Sequence, residues 1–291
     1  MTTTTVSRMR RPNASWLLLV PALALLAIVL LVPLFQSLVR SFGENGFTLQ
    51  HYTSLFTDGV TLTILGRTAA TAAIVTVVAM LLGYPYAYLM TRVGPRMRAI
   101  LLIIVLIPFW TSVMARNFAW IVILQRGGPV ETVFEFFGLT NVVFQGSVVG
   151  VTIAMTQVLL PFMVLPLFSS LGAIDRRLLL AARGLGSSPL VAFWKIYWPL
   201  SRTGVVSGLI LVFTLSLGFY VTPALLGSPQ QSLIAQLLAQ RTTQLLDFAG
   251  AGALGILVLT VTLVLVAWAN RLGGTISAIG VVSTSVSKEQ S

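Results

Sequence analysis

The sequence predicts an all-α, polytopic membrane protein with six transmembrane helices, and three observations carry that prediction. Of the 291 residues, 56% are hydrophobic and only 9% are charged, against about 25% charged in ordinary soluble domains. Six segments exceed the roughly 20 apolar residues that cross about 30 Å of hydrocarbon at 1.5 Å per residue. The basic residues gather in alternate loops, as the loops on one side of a membrane would.

The segments lie near 15–40, 60–91, 99–124, 147–171, 203–226 and 248–270. Each is expected to be helical, because a lone strand leaves its backbone groups unpaired in lipid. The runs also lack the period of two that a barrel strand needs. The first follows Arg8, Arg10 and Arg11, and Ala22-Leu23-Ala24 imitates a cleavage site. Its apolar run continues through Val39, beyond the core of about 7–15 residues of a secretory signal, so it reads as a retained span. Prolines at 85, 108, 161, 166 and 223 are placed to kink spans and free carbonyls. Small residues four apart (Ala69 with Ala73, Ala72 with Thr76, Ala251 with Gly255) permit close helix packing.

Orientation follows from charge. With the amino terminus inside, the inner stretches hold Arg8, Arg10 and Arg11; Arg92, Arg96 and Arg98; Arg176, Arg177, Arg183, Lys195 and Arg202; and Arg271 and Lys288, thirteen of the 18 basic residues. The outer loops keep Arg126 and Arg241, while Glu44, Asp58, Glu131, Glu135 and Asp247 also fall outside. Both termini are therefore expected in the cytoplasm. This gives a cytoplasmic tail over 1–14, a membrane domain over 15–272 and a second tail over 273–291. The net charge of +11 reads as an orientation signal with some attraction to lipid headgroups, not as a nucleic-acid surface.

Between the fourth and fifth segments the loop 172–202 contains "LLLAARGLGSSPLVAFWKIYWPL". Residues 175–183 are good helix formers, and Gly184 and Gly186 can take the left-handed conformation that ends a helix. Ser187 or Ser188 can cap a second helix with Pro189 in its first turn. Leu190, Phe193, Trp194, Tyr197 and Trp198 then share one face, Lys195 points away, and Ala181, Ala182 and the glycines leave a surface of little bulk. Chemistry alone allows either an interfacial helix on the headgroups or a docking element for a soluble partner.

Other chemistries find little support in the residues. There is no cysteine, and the single histidine, His51, has no companions for a metal site. No clustered nucleophile, base or ligand set suggests catalysis. Lys195 and Lys288, the two lysines, stand outside any phosphate-binding glycine loop, so ATP would have to be used by another polypeptide. Ion-coupled secondary transport, the alternative reading, normally places carboxylates near the midplane. Here the acids sit almost entirely in loops. Within the spans, Arg40 and Arg67 are placed to snorkel. Arg116 lies deeper, with Glu131 or backbone carbonyls as partners, or else it lines a path together with Trp110, Trp120 and Tyr220.

The loop resembles the cytoplasmic loop of permease subunits of binding-protein-dependent ABC importers, whose pattern is Glu-Ala-Ala, three residues, Gly, nine residues, Ile, one residue, Leu-Pro. Ala181, Ala182, Gly186, Ile196 and Pro199 match in register, whereas Leu180 replaces the glutamate and Trp198 the leucine. "GYPYAYLM" (83–90), "IPFWTSVMARNFAWIVIL" (107–124) and "SLGFYVTPALLG" (216–227) are similar to stretches of the spermidine/putrescine-type subfamily. The resemblance implies the type I importer permease fold seen in methionine-importer-like transporters, with no cofactor on this chain. It also implies two copies of an ATP-binding subunit, a second permease subunit and an extracytoplasmic solute-binding protein as partners, with a small organic solute as cargo, a polyamine such as spermidine or putrescine favoured. Leu180, Ala181, Ala182, Arg183, Gly186, Ile196 and Pro199 would form the surface that the ATPase grips. With Leu180 in place of glutamate, docking would rely on apolar contact and on Arg183.

Overall fold

The computed structural model describes residues 15–43, 48–138 and 143–273. The expected tail 1–14, Glu44, and the second tail from residue 274 onward with Lys288 lie outside the described residues. In chain order the helices are α1 (Ser15–Ser41), α2 (Gln50–Thr57), α3 (Gly59–Arg92), α4 (Pro95–Trp110), α5 (Val113–Leu124), α6 (Pro129–Phe136) and α7 (Val148–Gly172). They continue with α8 (Arg176–Gly184), α9 (Pro189–Ala192), a π-helical turn (Phe193–Tyr197), α10 (Trp198–Leu217), α11 (Val221–Leu226), α12 (Ile234–Thr243) and α13 (Phe248–Gly273). No strand occurs among the described residues.

Five helices are long and apolar enough to cross a membrane, and α4 with α5 forms a sixth, bent unit. This corrects the expectation for segments three and five. The third segment is not one helix: it breaks at Thr111–Ser112, and its halves stand 98° apart. The fifth ends at Leu217; after Gly218, residues expected within the span form the separate short helix α11. Its long helix instead begins earlier, and Pro189–Leu217 runs unbroken through the π turn.

The core is the packing of α3, α7 and α10 against one another. Lipid tails are as apolar as the side chains, so close approach rather than water exclusion holds such helices together. Glycines on α3 and α10 provide it. A Cβ on Gly208 would stand 2.6 Å from the Met163 sulfur, and one on Gly204 would stand 2.4 Å from the Ser170 Cβ. Met163 itself is fully buried. Of the small-residue pairs read from the sequence, Ala72 and Thr76 are buried, whereas Ala69 and Ala73 are exposed. Helices α1 and α13 form a second pair at the side of this core.

At the end of the bundle opposite the hairpin, polar contacts tie the short helices down. Asp58 caps α3 by accepting from the Val60 and Thr61 amides (3.1 and 3.2 Å) and the Thr61 hydroxyl (2.6 Å). Arg67 donates to the carbonyls of Gln230 (2.8 Å) and Ser232 (3.3 Å), so it anchors a loop instead of reaching for headgroups. Arg241 pairs with Asp247 at 3.8 Å.

Candidate functional site

The hairpin begins with Asp175, whose carboxylate accepts from the Arg177 amide (2.9 Å) and caps α8. The helix ends in a Schellman pattern: the Ser187 amide donates to the Ala182 carbonyl and the Gly186 amide to that of Arg183, both at 3.0 Å. Gly186 carries φ +85°, a region costly to residues with a Cβ. Ser188 accepts from the Val191 amide (3.4 Å), and Pro189 opens the second limb. These caps fall where the sequence put them, except that Gly184 stays inside the helix and Asp175 was missed.

The second limb differs from a plain amphipathic helix. In the π turn the Trp198 amide reaches back five residues to the Phe193 carbonyl. Pro199 follows two residues after the turn, inside the continuous helix Pro189–Leu217, where its missing N–H removes one interior hydrogen bond. Phe193, Tyr197 and Trp198 turn inward to meet α3. The Tyr84 ring lies 5.5 Å from Trp198, and Tyr88 lies 5.3 Å from Tyr197 and 6.3 Å from Phe193. Tyr84 also shares a hydrogen bond with Ser201 (3.1 Å). Leu190 and Trp194, expected on the same face, are instead exposed, because the extra residue of the π turn carries them around the axis.

The outer surface of the hairpin also departs from expectation. Ala182 is buried at 7% exposure, so it cannot be part of a surface of small residues. Ala181, Arg183, Gly186 and Pro199 are exposed and Ile196 is half-buried. The most exposed apolar groups are Leu180 (64%), Leu185 (88%) and Leu190 (72%). Leu185 went unnoticed in the sequence and Leu190 was placed on the ring-bearing face, although two leucines flanking a Gly-Ser-Ser-Pro bend were the signal for an exposed pair.

A second site lies at the α4–α5 break. A cavity of about 430 Å³ is lined by Pro108, Phe109, Arg116, Val158, Phe219 and Tyr220, among others. Arg116 and Tyr220, both expected path residues, come together here. Trp110 and Trp120 do not line it: Trp110 is 89% exposed, and the Trp120 indole donates to Gln157 on α7 (2.9 Å). An Arg116 Nη donates to the Pro108 carbonyl, freed by the break, and Glu131 is not its partner. Its buried Nε has no partner among the described residues. Phe109 and Phe219 were missed, and the punctuation at Pro108 and Gly218 was the clue to them. No cluster of three or more potential metal ligands occurs among the described residues.

The family model described as "binding-protein-dependent transport system inner membrane component" matches residues 79–274. The spermidine/putrescine transport system permease protein PotB of Haemophilus influenzae is 30% identical over 270 residues, 89% of this chain and 91% of that one. PotB of Escherichia coli (strain K12) is 31% identical over 239 residues, 80% and 86% of the two chains. Among solved structures, a bacterial ABC transporter involved in the import of the acidic polysaccharide alginate matches with a TM-score of 0.71 at 18% identity. That match covers 90% of this chain and 96% of that one.

Proposed function

Because this chain belongs to the family of binding-protein-dependent transport system inner membrane components, the permease subunits of ABC importers, we propose how its parts divide that work. The hairpin 175–200 is the handle gripped by the ATP-binding subunit, present in two copies. Leu180, Ala181, Arg183, Gly186, Ile196 and Pro199, with Leu185 and Leu190, take part in that contact, while Ala182 supports it from within. The single observation that carries this reading is the unbroken helix Pro189–Leu217, which makes the second limb of the hairpin and a core span one rigid lever.

ATP-driven closure of the two ATPases pulls this lever and moves the span with it, switching the path between two discrete states. A second permease subunit supplies the other half of the path, and an extracytoplasmic binding protein delivers the solute. The cavity beside Arg116, Phe219 and Tyr220 lines this chain's half. Both termini and the hairpin face the cytoplasm, in keeping with the basic residues at that end. The cargo is a small organic solute, with polyamines such as spermidine and putrescine the favoured class on the strength of the relatives' names. The Phe and Tyr faces suit an alkyl-ammonium chain. ATP is used by the partner, and this chain needs no cofactor of its own.

Gly184 provides the test. A Cβ there meets nothing within 4 Å, so a large side chain disturbs only what docks from outside. In the assembled importer, Gly184→Leu should lower binding-protein-stimulated ATPase activity by about tenfold or more, and Gly184→Ala should leave it near normal. Unchanged stimulation in a well-assembled Gly184→Leu complex would refute the docking role. Spermidine uptake that persists without ATP under a proton or sodium gradient would favour ion coupling instead.

A further inference from the structure

Under the root of the hairpin is a second concavity, of about 110 Å³, that the transport path does not use. Thr91 and Arg92 from the end of α3, Arg98 from α4, Phe168 from α7, Leu179 from α8 and Tyr197 from the π turn all line it. Both arginines are held in place by uncharged partners. Arg98 donates through Nε to the Met90 carbonyl (3.2 Å), with its guanidinium carbon 5.7 Å from the centre of the Phe168 ring. Arg92 donates to the Tyr88 hydroxyl (2.7 Å) and lies 4.8 Å from the centre of that ring. The one ion pair among the described residues, Arg241–Asp247, is at the other end of the bundle. The remaining donors of both guanidinium forks therefore have no carboxylate partner among the described residues.

The general excess of positive charge on the cytoplasmic side accounts for arginines in this loop. It does not account for two pre-oriented forks converging on one pocket beside an aromatic wall. Guanidinium forks match the oxygens of a phosphate group and bind them through charge-assisted hydrogen bonds. Basic pockets between spans at the cytoplasmic surface are where headgroup phosphates bind. We propose that the Arg92–Arg98 pocket holds the phosphate of an anionic phospholipid from the cytoplasmic leaflet, clamping the hairpin root to the α3–α4 corner. The same chemistry would accept free phosphate. The proposal rests on the orientation given above. Because Tyr197 and Leu179 belong to the hairpin, occupancy of the pocket should alter how firmly the lever is seated.

The test uses the assembled importer in nanodiscs of phosphatidylcholine alone or mixed with phosphatidylglycerol. Native mass spectrometry should detect phosphatidylglycerol retained on the wild-type complex. Retention should fall about tenfold in the R92Q/R98Q double variant, and R92K/R98K should recover part of it. Phosphatidylglycerol should raise the binding-protein-stimulated ATPase rate of the wild type and not that of the double variant. If inorganic phosphate added to phosphatidylcholine discs raises the rate in the wild type alone, the pocket is a phosphate site and free phosphate is its source. Equal retention and equal stimulation in wild type and double variant would overturn the proposal. So would an equal loss in Arg96→Gln or Arg177→Gln, which alter exposed charges outside the pocket. Stimulated activity in plain phosphatidylcholine reports the importer role separately, so failure of one reading is distinguishable from failure of the other.

Discussion

The chain departs from a straight helix in two places that matter, and it does so in opposite ways. At Thr111–Ser112 the third span stops and restarts at 98°. At Phe193–Tyr197 a π turn inserts one extra residue, yet the helix carries on from Pro189 to Leu217. A proline stands near each irregularity, Pro108 three residues before the break and Pro199 just after the π turn, so proline alone does not decide the outcome. The neighbours do. At the π turn three inward rings pack against Tyr84 and Tyr88 and hold the axis on course. At the break, the freed Pro108 carbonyl is taken by Arg116 and by the Thr111 hydroxyl (3.1 Å), and a cavity opens beside it. One irregularity preserves mechanical continuity, and the other gives it up to make space.

The strongest test of this contrast is insertion of an alanine between Ala192 and Phe193. The π turn already absorbs one extra residue, so an added one turns the hairpin by about 100° relative to α10. Leu185 and Leu190 are then presented on a different side of the lever, while the ring packing on α3, of about 0.5–1.5 kcal/mol per pair, is kept. The expected result is an assembled complex of near-normal Tm whose ATPase no longer responds to the binding protein. Trp194→Ala keeps the residue count and should retain most of the response. If the insertion couples normally, the orientation of the hairpin on its span has no part in transmitting motion.

At the other bend the effect should be smaller. Arg116→Leu removes a charge-assisted hydrogen bond of about 1.5–3 kcal/mol and leaves the Pro108 carbonyl to Thr111. Thermal unfolding in nanodiscs should register that loss, and Arg116→Lys should regain part of it. A wild-type Tm for Arg116→Leu would show that the arginine does not hold the break. Solute uptake adds a second reading. If the leucine variant transports a polyamine better than wild type while being less stable, the positive charge is a structural requirement that transport tolerates.

How much of this could be read from the sequence depends on whether the signal was local. The capping of the hairpin was legible, because Ser188, Pro189 and Gly186 act on backbone within a few residues of themselves. The π turn was not. Its residues keep the same i, i+3, i+4, i+7, i+8 spacing that an α-helix would show, and only the rings on α3 favour the longer turn. The break at Thr111–Ser112 was hidden for a similar reason: Thr and Ser are tolerated inside apolar helices, and the Arg116 side chain that takes the freed Pro108 carbonyl comes from beyond the break. Ala182 misled because a small residue in a sequence looks like a gap, whereas in the fold it is where α8 presses inward. The arginine pocket joins residues 91–98 to residues 168–197, and no local pattern connects them.

A third corner, between α2 and α3, gives the smallest effect and completes the comparison, since it is governed by a single charge. Asp58 caps α3, and its hydrogen bonds from the Thr61 hydroxyl and the Val60 amide hold its pKa below the ordinary 3.8. The folded value is the depressed one, so the carboxylate's contribution is fully present above the unfolded pKa. It is lost only as pH falls through the folded value. Stability should therefore be insensitive to this group from neutral pH down to about 4.5 and decline only in stronger acid. Asn caps a helix about as well as Asp, so Asp58→Asn should leave Tm near wild type at neutral pH and remove this part of the acid transition. If Asp58→Asn instead lowers Tm substantially at neutral pH, the corner needs the charge itself. The α2–α3 turn would then resemble the arginine-held break more than the ring-packed π turn.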